Sequence, residues 1–128
     1  MVTRLLYVSR MARRFSELDL RVLLGQSQIN NRRLDVTGLL VTCDGLFCQV
    51  LEGREPAVHR LMERVRRDAR HVEARIILDE DSPHRCFSDW SMQLMRRDDL
   101  QDRLEAIHRQ ADLSSSLDAR ELIHVLMA

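Results

Sequence analysis

Aromatic side chains are scarce here, at 4% of 128 residues, with a single tyrosine and a single tryptophan. A sheet that reads RNA or DNA needs aromatic platforms and a basic field. Here 20 basic and 20 acidic side chains cancel to a formal charge of +0, which argues against nucleic acid and against an anionic membrane surface. No apolar run is long enough to span a bilayer, and the opening residues Met1 to Arg4 lead into a strand rather than a secretory signal, so a cytoplasmic chain is expected. The three cysteines, Cys43, Cys48 and Cys86, form no CxxC pair, and His59, His71, His84, His108 and His124 are scattered. That pattern supports reduced core thiols rather than a disulfide framework or a metal site. Cys48 has no base beside it in sequence, so a nucleophilic enzyme is not expected either.

What the chain does have is apolar mass, 45% of its residues, enough for one compact domain. The stretch from Gly45 to Gly53 reads as a strand buried on both faces, because its apolar residues do not alternate with charges. Gln49 lies in its middle. A carboxamide removed from water without partners costs about 1–3 kcal/mol, so a polar group is expected to meet it there.

Around that stretch the pattern predicts strands at 3–9, 36–43, 72–78 and 90–95. Asp44-Gly45 marks a hairpin turn, and Gly38 marks a close approach to the backbone. Ser16 to Asp19 matches a capping box opening a helix to about Gln28, with Leu18, Val22, Leu23 and Gln26 or Ile29 inward and Asn30-Asn31 as its stop. Pro56 opens a second helix with Val58, Leu61, Met62, Val65 and Ala69 inward, and its arginines, Arg64 included, read as a solvated face. Residues 98–110 and 117–127 supply two more helices, separated at Ser114 to Ser116. The predicted class is α+β: a ferredoxin-like βαββαββ mixed sheet of five strands, two helices on one face and a C-terminal helical hairpin on the other. Residues 1–95 form the core and 96–128 a cap within the same compact domain.

By alternation, Tyr7 on the first strand and Gln49 on the third face the same way, and those strands are neighbours in this topology. Asn30 and Asn31 close one helix over that face; Asp68, Arg70 and His71 close the other. A slot with apolar walls and amide groups suits a flat heterocycle bearing carbonyls and ring nitrogens.

These residues, together with Leu5-Leu6-Tyr7-Val8-Ser9, Ser27-Gln28-Ile29-Asn30-Asn31, Val36-Thr37-Gly38-Leu39-Leu40, Phe47-Cys48-Gln49-Val50-Leu51-Glu52-Gly53, Asp68-Ala69-Arg70-His71 and Phe87-Ser88-Asp89-Trp90-Ser91-Met92, resemble the BLUF domains, blue-light sensors that use FAD. The resemblance covers roughly residues 3–95. It implies that Tyr7 is the electron and proton donor, that Gln49 switches its hydrogen bonds between the phenol and the flavin, and that Asn31 bonds the flavin's carbonyl edge. It further implies flavin contacts from Asn30, Ser27, Asp68, Arg70 and His71, and a signal relay through Trp90 and Met92. FAD is the implied cofactor, with FMN and riboflavin open, and the signal is expected to leave through an effector protein or a change of homo-oligomer. The competing reading is a non-photoactive ferredoxin-like module that binds partners or self-assembles and keeps the pocket. A colourless purified chain would favour it.

Overall fold

The computed structural model describes residues 1–88, 91–110 and 116–127. Its elements run β1 (Val2–Met11), α1 (Glu17–Arg33), β2 (Thr37–Cys43), β3 (Leu46–Gly53), α2 (Glu55–Arg67), β4 (His71–Ser82), β5 (Gln93–Arg96), a 3₁₀ turn (Asp98–Leu100), α3 (Gln101–Arg109) and α4 (Ser116–Met127). The five strands form one sheet in the order β4-β1-β3-β2-β5, antiparallel except for the parallel β2–β5 edge. This is the predicted ferredoxin-like arrangement with one strand added.

β3 sits at the centre, and all eight of its residues are buried. The pleat sends Phe47 and Leu51 towards α1 and α2, into a cluster with Leu23, Val58, Leu61 and Met62. It sends Leu46, Cys48 and Val50 the other way, against Leu104, Ile107, Ala119, Leu122 and Leu126 of α3 and α4. Burying a large apolar side chain contributes about 1.5–3 kcal/mol, so a sheet apolar on both faces requires cover on both. α3 is also tied to the sheet by polar bonds: Arg75 donates to the His108 carbonyl at 2.6 Å and His108 Nε2 lies 2.7 Å from the Glu73 carbonyl.

The turns follow from local chemistry. Ser16 and Asp19 form the expected reciprocal cap, at 3.1 Å and 2.9 Å. Gly45 has φ +78°, the left-handed conformation that the β2–β3 hairpin requires. At Gly38 a Cβ would lie 1.9 Å from the Val50 carbonyl oxygen, so this position can hold only glycine without displacing the central strand.

Four expectations shift. α1 runs through Asn30 and Asn31 to Arg33, and the left-handed residue beyond its end is Asp35, at φ 54°. Asn31 fails to stop the helix because its side chain is engaged elsewhere. The inward stripe of α1 is Leu20, Leu23 and Leu24, while Leu18, Val22 and Ile29 lie exposed on the outer side. β4 extends to Ser82, four residues beyond the predicted end. β5 begins at Gln93, so Met92 precedes it rather than belonging to it; Trp90 lies outside the described residues. Among the described residues, no helix is long and apolar enough to cross a membrane.

Candidate functional site

The register sets Tyr7 of β1 and Leu40 of β2 on either side of Gln49 of β3, forming the floor of a cleft. α1 supplies one wall through Leu23, Ser27, Asn30 and Asn31, and α2 the other through Leu61, Arg64 and Val65. Asp68, Arg70 and His71 close one end. The cleft measures about 290 Å³, near the lower end of the range of roughly 300–1,000 Å³ for small-molecule sites. Apart from the two relay residues, every residue named from the sequence as a site candidate therefore lines one space.

Tyr7 is fully buried, and its phenol donates to Gln49 Oε1 at 2.5 Å. Burial pushes the Tyr7 phenol well above its ordinary range, with nearby Cys48 and Asp68 adding to the effect, so it is held protonated. The other end of the Gln49 carboxamide donates from Nε2 to Met92 Sδ at 3.3 Å, and Met92 is 3% exposed. Phenol, amide and thioether thus form a directional chain that starts on the floor of the cleft and ends at a buried sulfur beyond it. The polar partner that Gln49 demanded is Tyr7, with Met92 at the second end.

His71 buttresses the phenol. Its Nδ1 lies 2.8 Å from Ser9 Oγ, and its ring meets Tyr7 edge-on at 5.9 Å and Phe47 at 4.7 Å. Burial lowers its pKa to about 4, so the imidazole is neutral at neutral pH. Arg70 binds Asp68 in bidentate fashion, with Nη2–Oδ2 at 2.6 Å and Nε–Oδ1 at 3.0 Å, and reaches across to Gln26 Oε1 at 3.0 Å. The Arg70 guanidinium beside it holds the Asp68 carboxyl below the usual carboxylate range. This pair therefore ties the end of α2 to α1 as well as lining the cleft.

Asn31 is 2% exposed and donates from Nδ2 to the Ser91 carbonyl at 2.8 Å. Gln28, one turn earlier, donates from Nε2 to the Met92 carbonyl at 3.0 Å. Sequence reading gave Gln28 no role and assigned Arg64 to a solvated face. Gln28 depends on a partner distant in the chain, which only the helix phase of α1 hinted at; Arg64 is exposed, as expected, and also lines the cleft.

The sequence model of BLUF, described as sensors of blue-light using FAD, matches residues 2–93. The chain belongs to this family. The beta subunit of the photoactivated adenylate cyclase of Euglena gracilis is 34% identical over 92 residues, 71% of this chain and 11% of the relative. The alpha subunit of the same organism is 39% identical over 69 residues, 54% of this chain and 7% of the relative. The chain thus spans about a tenth of the length of these curated relatives. Among solved structures, the dark state of BlrB, a BLUF protein, superposes with a TM-score of 0.80 at 30% identity, covering 98% of this chain and 95% of that one. The photo-activated state of BlsA superposes with a TM-score of 0.82 at 26% identity, covering 99% and 95%.

The cleft of this BLUF chain fits a flavin on its own chemistry. The side chains of Ser27 and Asn30 face it without a hydrogen-bond partner among the described residues, beside the apolar walls of Leu23, Leu40 and Leu61. Unpaired amide and hydroxyl groups next to apolar surface match a planar ring with carbonyl and nitrogen edges.

Proposed function

We propose that this BLUF chain is a cytoplasmic blue-light sensor that holds FAD by Ser27, Asn30, Asn31, Asp68, Arg70 and His71, and that Gln49 converts light into a reversed hydrogen-bond chain. The observation that carries the reading is the run from Tyr7 Oη through the Gln49 amide to Met92 Sδ. A bound flavin supplies blue absorption and, once excited, a strong demand for an electron. Tyr7 is the tyrosine at the floor of the cleft and the only one in the chain. A phenol that has given up an electron becomes a strong acid, and its proton already points at Gln49 Oε1.

Gln49 is suited to the switching role because a carboxamide offers a donor and an acceptor in one rigid group. In the orientation observed, the phenol donates to its oxygen and its nitrogen donates to sulfur. Reversed, the nitrogen faces Tyr7 and the oxygen faces a thioether that has no proton to donate. Losing one bond of about 0.5–1.5 kcal/mol shifts a two-state population roughly two- to twelvefold. Among the protein partners alone the orientation seen here is the favoured one, and it is taken as the resting state of the switch.

The output begins at Met92, which loses its donor when the amide turns. One residue later β5 pairs with β2, Arg97 N donates to the Thr42 carbonyl at 2.9 Å, and the 3₁₀ turn leads into α3. Strain at Met92 is thereby conveyed to the helices on the far face of the sheet, where an effector protein or a second copy of the chain would read it. Replacing Tyr7 by Phe is expected to keep the yellow flavin and remove the light-induced red shift, measured as absorption before and after blue illumination. An unchanged shift would contradict the role given to Tyr7.

A further inference from the structure

We propose that Gln28 is the positioning residue that holds Met92 in reach of Gln49, and so sets how long the reversed amide persists; this rests on the switch reading above. Gln28 and Asn31 lie three residues apart on one face of α1 and take the consecutive carbonyls of Met92 and Ser91, at 3.0 Å and 2.8 Å. Pairing of this segment with β2 starts only at Gln93, opposite Leu39. The carbonyl of Met92 is therefore held by a helix side chain where a strand residue would have a neighbouring strand.

The side chain of Met92 is held from the opposite direction. Its sulfur accepts from Gln49, and its methyl group fills the space beside Gly38, 3.3 Å from where a Cβ would be. Asn31 lines the flavin cleft, whereas Gln28 does not. Gln28 thus touches the output segment without touching the cofactor site, and its effect can be read separately from flavin binding.

When Gln49 reverses, the sulfur loses its donor, and the bonds from α1 are what keep the segment in place. With Gln28 present, the sulfur waits where the amide must return. Without it, Met92 moves away and has to be recaptured before the resting chain re-forms. Gln28 accordingly shortens the lit state and couples α1 to the segment leading into β5.

The test uses flavin-loaded protein carrying Gln28→Met, which preserves length and removes the donor, and Gln28→Lys, which restores an N–H donor of similar reach. Gln28→Ala, a strong helix former, serves if the methionine variant does not fold. All three are expected to show the red shift of the parent protein. The methionine and alanine variants should recover in darkness roughly two- to tenfold more slowly, the span set by one hydrogen bond. Hydrogen exchange across residues 91–93 should already be faster in the dark in those variants, and the lysine variant should return both readouts towards the parent. Recovery that is unchanged or faster, or dark exchange that is unchanged, overturns the proposal. A parent protein without any red shift would instead defeat the switch reading, while the dark exchange measurement still decides whether Gln28 anchors the segment.

Discussion

Gln49→Leu is expected to abolish the light-induced red shift completely while the protein still binds flavin. Leucine matches the size of the glutamine side chain and leaves both helix walls of the cleft intact, so the binding surface persists apart from one amide. The chain from phenol to sulfur, however, is cut at its centre. Tyr7 is 0% exposed and Gln49 is its hydrogen-bond partner. The variant therefore strands a buried hydroxyl, and stability should fall by about 1–3 kcal/mol. Absorption spectra before and after illumination check the first effect and urea unfolding the second. A variant with a normal photocycle would remove Gln49 from the mechanism.

The largest effect on stability is expected at Glu52, outside the cleft. Its carboxylate is fully buried and accepts from Arg4 Nε at 2.9 Å, Cys86 N at 2.8 Å and Phe87 N at 2.7 Å. It fastens the segment after β4 to the end of the central strand, where Arg85 adds a bond to the Asp35 carbonyl at 2.9 Å. Glu52→Ala would leave a nearly buried guanidinium without its close carboxylate and remove the oxygens to which the Cys86 and Phe87 N–H groups donate. Breaking one side of a buried pair in this way costs about 3–5 kcal/mol, a large share of the roughly 5–15 kcal/mol typical of a domain. Arg4 retains the neutral acceptors Ser82 Oγ at 3.3 Å and the His84 carbonyl at 3.0 Å, and a longer ion pair to Glu80 at 3.9 Å, none of which replaces the close, buried carboxylate. Glu52→Gln, which keeps one oxygen acceptor, should lose less. Urea unfolding of the two variants is the measurement, and a loss below about 1 kcal/mol for the alanine variant would show that the carboxylate is not the anchor described.

Much of the fold was legible in the sequence because several signals agreed. The unbroken apolar run of β3 required cover on both faces, and the expected helices 98–110 and 117–127 were available to provide it. Asp44-Gly45 fixed the hairpin, and the hairpin fixed which β3 residues face Tyr7. The phase of α1 was not legible, because Leu18, Val22 and Ile29 place a second apolar stripe on its outer side. Helical spacing alone cannot choose between two such stripes. Asn30-Asn31 looked like a stop because asparagine tolerates left-handed backbone, yet Asn31 is held by a carbonyl 60 residues away. The start of β5 was misplaced for the same reason: a hydrogen bond from Gln28 takes the carbonyl that a longer strand would have used.

Within the site, the pairing of Tyr7 with Gln49 followed from alternation and topology, since both are short-range rules applied to central strands. Gln28 was missed because a polar residue on a helix reads the same whether it meets water or a distant backbone group. Met92 was placed in the relay by resemblance, and its contact with the Gln49 nitrogen depends on a rotamer that no sequence rule specifies.

The central claim is that the Gln49 side-chain amide reverses in light. Protein labelled with ¹⁵N-glutamine allows the Nε2 group of Gln49 to be followed by NMR, assigned through its absence in Gln49→Leu. The account predicts that this resonance moves on blue illumination and returns in darkness with the time course of the red shift. A Gln49 resonance that stays in place while the absorption shifts would contradict it.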